Sequence, residues 1–170
     1  MDFSVTNAKL DDTAAIFGLY RAVAAIEGGL ARTAEEISAQ YVENFVSKAV
    51  GSGVIVVARK EEKIVGEIHA YALGPKVFAH VLGELTIAVH PDFQGFGVGK
   101  AVFAELMRQV KEHRADILRV ELIARESNAK AIEFYKKLGF DVEGRMERRI
   151  RSAGGGFEAD IPMAWHRQTS

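Results

Sequence analysis

Residues 94–100 read Gln94-Gly95-Phe96-Gly97-Val98-Gly99-Lys100, with glycine at every second position of the stretch's middle. An apolar run from Phe78 to Val89, closed by Pro91, comes before it. After it, Val98, Val102, Leu106 and Val110 recur at the spacing of one helix face. A strand, a glycine turn and a helix in that order leave backbone N–H groups and the positive end of the helix free to face an anion. A P-loop needs glycine at Gln94 and Ser or Thr at Ala101, and a dinucleotide fingerprint starting at Gly95 needs glycine at Lys100. Both nucleotide patterns therefore fail at named positions. What stays open is another phosphate ligand, or glycines that serve packing alone.

The flanking sequence places this turn in a mixed α/β chain. Phe3 to Asn7 reads as a short strand. From Asp11, the residues Ile16, Leu19, Tyr20 and Val23 form a half-buried helical stripe that ends near Glu27-Gly28-Gly29. Thr33-Ala34-Glu35-Glu36 reads as a capping box opening a second helix, whose apolar face is Ile37, Tyr41, Val42 and Phe45. Val54 to Ala58 and Ile64 to Leu73 make a hairpin around a polar turn. Beyond the glycine-turn helix, Leu118 to Ala124 is a strand, Asn128 to Leu138 a helix, and Gly139 its left-handed stop. Val142 to Ile150 and Phe157 to Trp165 flank Ser152-Ala153-Gly154-Gly155-Gly156 as a closing hairpin. The order β, α, α, β, β, β, α, β, α, β, β, without repeat or linker, predicts a single domain over residues 1–170.

Composition narrows the chemistry. A chain of 170 residues, 48% hydrophobic and 26% charged, is sized for one core. With 22 basic against 23 acidic side chains it has no net field to gather nucleic acid or anionic lipid. Small-molecule or peptide partners are expected instead. There is no cysteine, which removes disulfides, thiolate metal sites and a cysteine acyl intermediate. No apolar run approaches the ~20 residues of a membrane span, and Met1-Asp2-Phe3-Ser4 does not open like a signal peptide, so a cytoplasmic address is expected.

Gln94-x-x-Gly97-x-Gly99, preceded by Leu85-Thr86-Ile87-Ala88-Val89-His90-Pro91-Asp92, resembles the Q/R-x-x-G-x-G/A acetyl-CoA motif of the GNAT superfamily of N-acetyltransferases. The stretch from Asn128 to Phe140 is similar to that family's N-x-x-A-x-x-F-Y-x-x-x-G-F segment. The resemblance is strong from Val81 to Phe140 and looser on either side. It implies a GNAT fold: a central, mostly antiparallel sheet of six to seven strands, with strands four and five splayed and about four flanking helices. It also implies acetyl-CoA as acyl donor. By matching position, the pyrophosphate falls to the backbone of Gln94, Gly95, Phe96, Gly97, Val98, Gly99 and Lys100, the pantetheine arm to Ile87, Ala88 and Val89, and further cofactor contacts to Asn128, Ala131, Phe134 and Tyr135.

Acyl transfer from a thioester to an amine needs a neutral amine, a stabilised oxyanion and a proton for the departing thiolate. Glu84 matches a base position of several GNAT branches, and Tyr135 matches the tyrosine that protonates the thiolate. The backbone N–H of Val89 is the expected oxyanion donor. Glu67, His69 and Tyr71 alternate along one strand face and are candidates to line the acceptor cleft, with Glu67 as reserve base. No spacing of His, Asp or Glu suggests a metal. Arg145, Arg148, Arg149 and Arg151 lie close in sequence to Glu143, Glu147, Glu158 and Asp160, which predicts an ion-paired hairpin rather than an RNA patch. The expected activity is N-acetyl transfer to a primary amine of a small molecule, amino acid or peptide terminus, with homodimerisation as a family habit. A non-catalytic acyl-CoA sensor and a different acyl donor are the competing readings.

Overall fold

A computed structural model describes residues 1–169. Among them are four α-helices and eight strands, hydrogen-bonded in the order β1-β2-β3-β4-β5-β8-β6 with β7 on β8. The strands are β1 (Ser4–Asn7), β2 (Val54–Lys60), β3 (Lys63–Ala72), β4 (Val81–Val89), β5 (Arg119–Arg125), β6 (Asp141–Val142), β7 (Met146–Arg151) and β8 (Phe157–His166). The helices are α1 (Thr13–Ala24), α2 (Ala39–Ser52), α3 (Val98–His113) and α4 (Ala129–Lys137). β4 and β5 run parallel, in register only at Val81 with Arg119 and Leu82 with Val120, while β1–β2, β2–β3, β5–β8, β6–β8 and β7–β8 are antiparallel. The fold is the expected mixed α/β one.

The chain packs as two compact units, Met1–Ala72 with Thr86–Ala115, and Leu73–Leu85 with the chain from Asp116 onward. In the first, Ile16, Leu19, Tyr20 and Val23 of α1 and Val42, Phe45, Val46 and Ala49 of α2 share a core with Ile55 and Val57 of β2 and with Ala88. The 3.6-residue period of the helices and the two-residue period of the strand each deliver one apolar face to that layer. On α3, all four residues of the expected face, Val98, Val102, Leu106 and Val110, are buried.

The second helix starts later than its sequence suggests. Thr33 and Glu36 do form a capping box, with the Thr33 N–H donating to Glu36 Oε2 at 2.8 Å, but it caps a single 3-10 turn over Ala34–Glu36. Ile37 then turns extended, at ψ 97°, and buries its side chain. Ser38 starts a fresh helix by accepting the Tyr41 N–H on Oγ at 3.1 Å. Two caps five residues apart, Thr33 and Ser38, compete, and burial of Ile37 favours the second.

In the second unit, β8 pairs with β5 along seven residues and carries β6 and β7 on its other side. The run Val142 to Ile150, read as one strand, is two. Val142 faces Met163 and Met146 faces Asp160, so four steps on one chain oppose three on the other. The extra residue falls within 143–145, opposite a stretch of β8 that holds Pro162, which has no N–H to give to a ladder. This raises the strand number to eight. Gly139, at φ 90°, stops α4, and the Phe140 N–H returns to Tyr135 O at 3.0 Å. The hairpin arginines are engaged with acids, Arg145 with Glu126 at 2.6 Å and Arg149 with Asp160 at 3.0 Å, while Arg148 and Arg151 lie over the Phe157 ring.

Candidate functional site

In the first unit, β4 ends at Val89 and the chain is pinned there by the His90 N–H donating to Val65 O on β3, at 2.9 Å. His90 Nδ1 accepts the Asp92 N–H and caps a 3-10 turn over Pro91–Phe93, which delivers Gln94 in an extended conformation. The Gln94 amide reaches back to Val89 O at 3.4 Å. Gly95 (φ 82°) and Gly97 (φ 83°) both take left-handed conformations, and Gly97 is the N-cap of α3. The alternating glycines are thus required by backbone geometry: an L side chain at either position would be strained although the space beside each is open.

The first intrahelical bond of α3 runs from the Ala101 N–H to Gly97 O at 3.0 Å. The N–H groups of Val98, Gly99 and Lys100 therefore project from the helix start without an intrahelical acceptor. They border an open pocket of about 450 Å³ lined by Val89, Phe93, Gln94, Gly95, Gly97, Val98, Gly99 and Lys100. Lys60 and Lys63 lie over the Phe93 ring, and Lys63 Nζ is 3.2 Å from His90 Nε2. No local pattern links these lysines to the turn, because they lie far from it along the chain. Free donors, a helix start and added positive charge suit a pyrophosphate, so the turn fits the diphosphate of coenzyme A. On β4, Ala88 is buried in the core, whereas Ile87 and Val89 are half-buried and lie beside Gly99.

The face of β3 carrying Glu67, His69 and Tyr71 meets α1 and α2. Glu67 is fully buried, His69 is buried but for 2% of its surface, and Tyr71 is half-buried. The Tyr20 hydroxyl of α1 donates to Glu67 Oε2 at 2.5 Å, and His69 Nδ1 lies 3.0 Å from Glu67 Oε1. Phe45 of α2 stacks on the His69 ring at 4.2 Å, and Tyr71 stacks on it at 5.9 Å. Burial, and then the adjacent Glu67 carboxylate, push the Tyr20 phenol well above its ordinary range, so it keeps its proton. By sequence Tyr20 is a helix-face aromatic, and no local signal pairs it with a carboxylate 47 residues away.

In the second unit, Glu84 is exposed on β4 at φ 54°, a left-handed conformation unusual for a residue with a side chain. Glu84 stands within the otherwise apolar run of β4, where a buried carboxylate would be costly, and the strand's turn at this residue leaves it exposed. Asn128 caps α4, its Oδ1 accepting the Ala131 N–H at 3.3 Å. Tyr135 is buried between Phe134 and Phe140, at ring distances of 5.9 and 6.3 Å, and burial raises its phenol above the usual value. Ala131 and Phe134 are half-buried on the same helix. Among the described residues, no group of three or more His, Asp or Glu is placed to hold a metal, and no helix is long and apolar enough to cross a membrane.

Known proteins resemble the chain in both sequence and fold. An uncharacterized N-acetyltransferase of Pyropia yezoensis is 43% identical over 54 residues, 32% of this chain and 28% of that protein. The ribosomal protein bS18-alanine N-acetyltransferase of Escherichia coli is 38% identical over 87 residues, 49% of this chain. The chain spans 57% of that enzyme's length. A solved GNAT-family acetyltransferase of Streptococcus pneumoniae superposes with TM-score 0.87 at 20% identity, over 98% of this chain and 100% of the other. A Salmonella typhimurium structure described as an acetyltransferase with its cofactor acetyl-CoA gives 0.78 at 17% identity, over 100% and 96%. At these identities the structural likeness is one of fold. The model of the Acetyltransferase (GNAT) family matches residues 23–140, which takes in the glycine turn, β5 and α4, and the chain belongs to that family.

Proposed function

We propose that this protein transfers the acetyl group of acetyl-CoA to a primary amine of a small molecule, amino acid or peptide terminus, by direct attack and without an acyl-enzyme. The observation that carries the reading is the left-handed Gly95 and Gly97 turn, which opens the N–H groups at the start of α3 onto a pocket beside the end of β4. Acetyl-CoA supplies the activated thioester. The chain's residues hold it and manage protons. Val98, Gly99 and Lys100 donate backbone N–H groups to the diphosphate, and Gln94 fixes the turn against Val89. The backbone of Ile87 to Val89 receives the pantetheine arm, with the Val89 N–H as oxyanion donor.

Tyr135 protonates the departing thiolate. Its burial-raised pKa keeps the phenol protonated near neutral pH, as a general acid must be. Glu84, exposed on β4, takes the proton the amine gives up, directly or through water. Peptide termini stay among the acceptors because one relative is named for acting on an alanine of a ribosomal protein.

The test is CoA release from acetyl-CoA, followed with a thiol reagent over an amine panel, for the wild type, Glu84→Gln and Tyr135→Phe. The chain has no cysteine and gives no thiol background. Amine-stimulated release that falls at least about tenfold in each variant, with acetyl-CoA binding intact, is the expected outcome. Binding without any stimulated release favours a sensor, and absence of acetyl-CoA binding ends the proposal.

A further inference from the structure

The buried Tyr20–Glu67–His69 group has no part in the steps assigned above. A carboxylate with no exposure is costly unless its oxygens are satisfied, and here each oxygen has one donor: Tyr20 on Oε2 at 2.5 Å and His69 on Oε1 at 3.0 Å. The Tyr20 hydroxyl has one proton to give. It lies 3.4 Å from His69 Nδ1 but much nearer the carboxylate, so its proton goes to Glu67. Glu67 Oε1 can only accept, so Nδ1 carries the imidazole proton. In the neutral ring this leaves Nε2 with a lone pair.

That lone pair has no hydrogen-bond partner among the described residues. Yet no buried side-chain nitrogen or oxygen among them goes unpartnered, so the 2% of His69 that remains accessible includes Nε2. The ring cannot swing away, because Phe45 and Tyr71 stack on it at 4.2 and 5.9 Å. The groups packed around it are Tyr20 from α1, Phe45 from α2, and Glu67 and Tyr71 from β3 itself, with Lys48 of α2 over the Tyr71 ring. The result is one fixed acceptor atom, slightly accessible, on a ring held by the aromatic side chains stacked against it.

We infer that His69 Nε2 is the specificity-determining contact for the acceptor amine, receiving the N–H that the nitrogen keeps when it becomes an amide. The inference rests on the acetyl-transfer reading. A primary amine has two N–H bonds: one proton is lost on acylation and the other remains in the product. Only a primary amine can therefore donate to His69 throughout and still shed a proton. A secondary amine must break that contact to react. Because the nitrogen becomes a better donor as its lone pair is committed to the new C–N bond, the hydrogen bond strengthens towards the transition state.

The test pairs a spectroscopic readout with kinetics. Imidazole ¹⁵N spectra of the wild type should show His69 protonated at Nδ1 and bare at Nε2. Glu67→Gln, which can present an amide N–H to Nδ1, should reverse the tautomer. Titration with the best amine of the panel, or with n-butylamine if none is turned over, should shift the Nε2 signal of the wild type and not that of Glu67→Gln. In kinetics, His69→Phe and Glu67→Gln should each lower kcat/KM for the amine at least tenfold, leave KM for acetyl-CoA within twofold, and abolish the preference for the primary amine over its N-methyl analogue. A wild-type ring protonated at Nε2, or an Nε2 signal that ignores the amine, overturns the assignment even if CoA is released. An Nε2 signal that answers the amine without any CoA release keeps the contact and sinks acetyl transfer.

Discussion

The Tyr20 hydroxyl on α1 donates to the Glu67 carboxylate on β3 across 2.5 Å, with both side chains at no measurable exposure. This bond ties a helix to the sheet by a polar contact inside an apolar layer. Removing the donor leaves the carboxylate with one partner fewer in a place water does not reach. Tyr20→Phe is expected to lower unfolding stability by about 1–3 kcal/mol, read by chemical denaturation. A change below a few tenths would mean the layer relaxes to admit water.

The same bond sets an alkaline limit. Tyr20 and Tyr135 have folded pKa values raised above the ordinary 10.0, so both keep their protons after an unfolded chain begins to lose them. Stability from a raised group is fully present below the unfolded pKa and is lost as pH rises through the folded one. The denaturation midpoint should fall from about pH 10 upward. The fall should be shallower in Tyr20→Phe, which has no buried phenol there to ionise. An equal slope in the two proteins would assign the alkaline loss to other groups.

At Gly97, φ is 83° and the space where a Cβ would stand is open. The cost of a substitution there is backbone strain alone. Gly97→Val should cost more than about 1–2 kcal/mol and Gly97→Asn distinctly less, since asparagine tolerates the left-handed region. Calorimetric binding of coenzyme A should weaken in the same order, because the turn aims the N–H groups of α3. Gly66→Ala provides a contrast: its Cβ would come within 2.5 Å of Val98 Cγ1, so its penalty is one of packing against the helix.

Glu84 holds φ 54° inside a strand, a conformation glycine adopts without penalty. Glu84→Gly should therefore leave stability unchanged or raise it, within about 1 kcal/mol, while turnover falls as in Glu84→Gln. Thermal unfolding and CoA release measured on the same preparations check the pairing. If Glu84→Gly both destabilises and keeps activity, the residue serves the strand and not the chemistry.

Periodicity and local turn chemistry wrote most of this protein into its sequence. The buried stripes of α1 and α3, the hairpin of β2 and β3, the glycine turn and the Gly139 stop each depend on residues a few positions apart, so short-range steric and hydrogen-bonding rules suffice to read them. Where two local signals competed, packing decided: Ile37 went into the core and moved the start of α2 to Ser38, and the expected strand from Val142 to Ile150 divides into β6 and β7 where its register on β8 shifts by one residue. Glu67 and His69 were legible as neighbours on one strand face, but their burial, their shared hydrogen bonds and the fixed lone pair of His69 depend on Tyr20 and Phe45 arriving from two helices. The left-handed turn at Glu84 and the lysines gathered at Phe93 are of the same kind. Such features are set by contacts between distant segments, whose energies exist only once the chain has closed on itself.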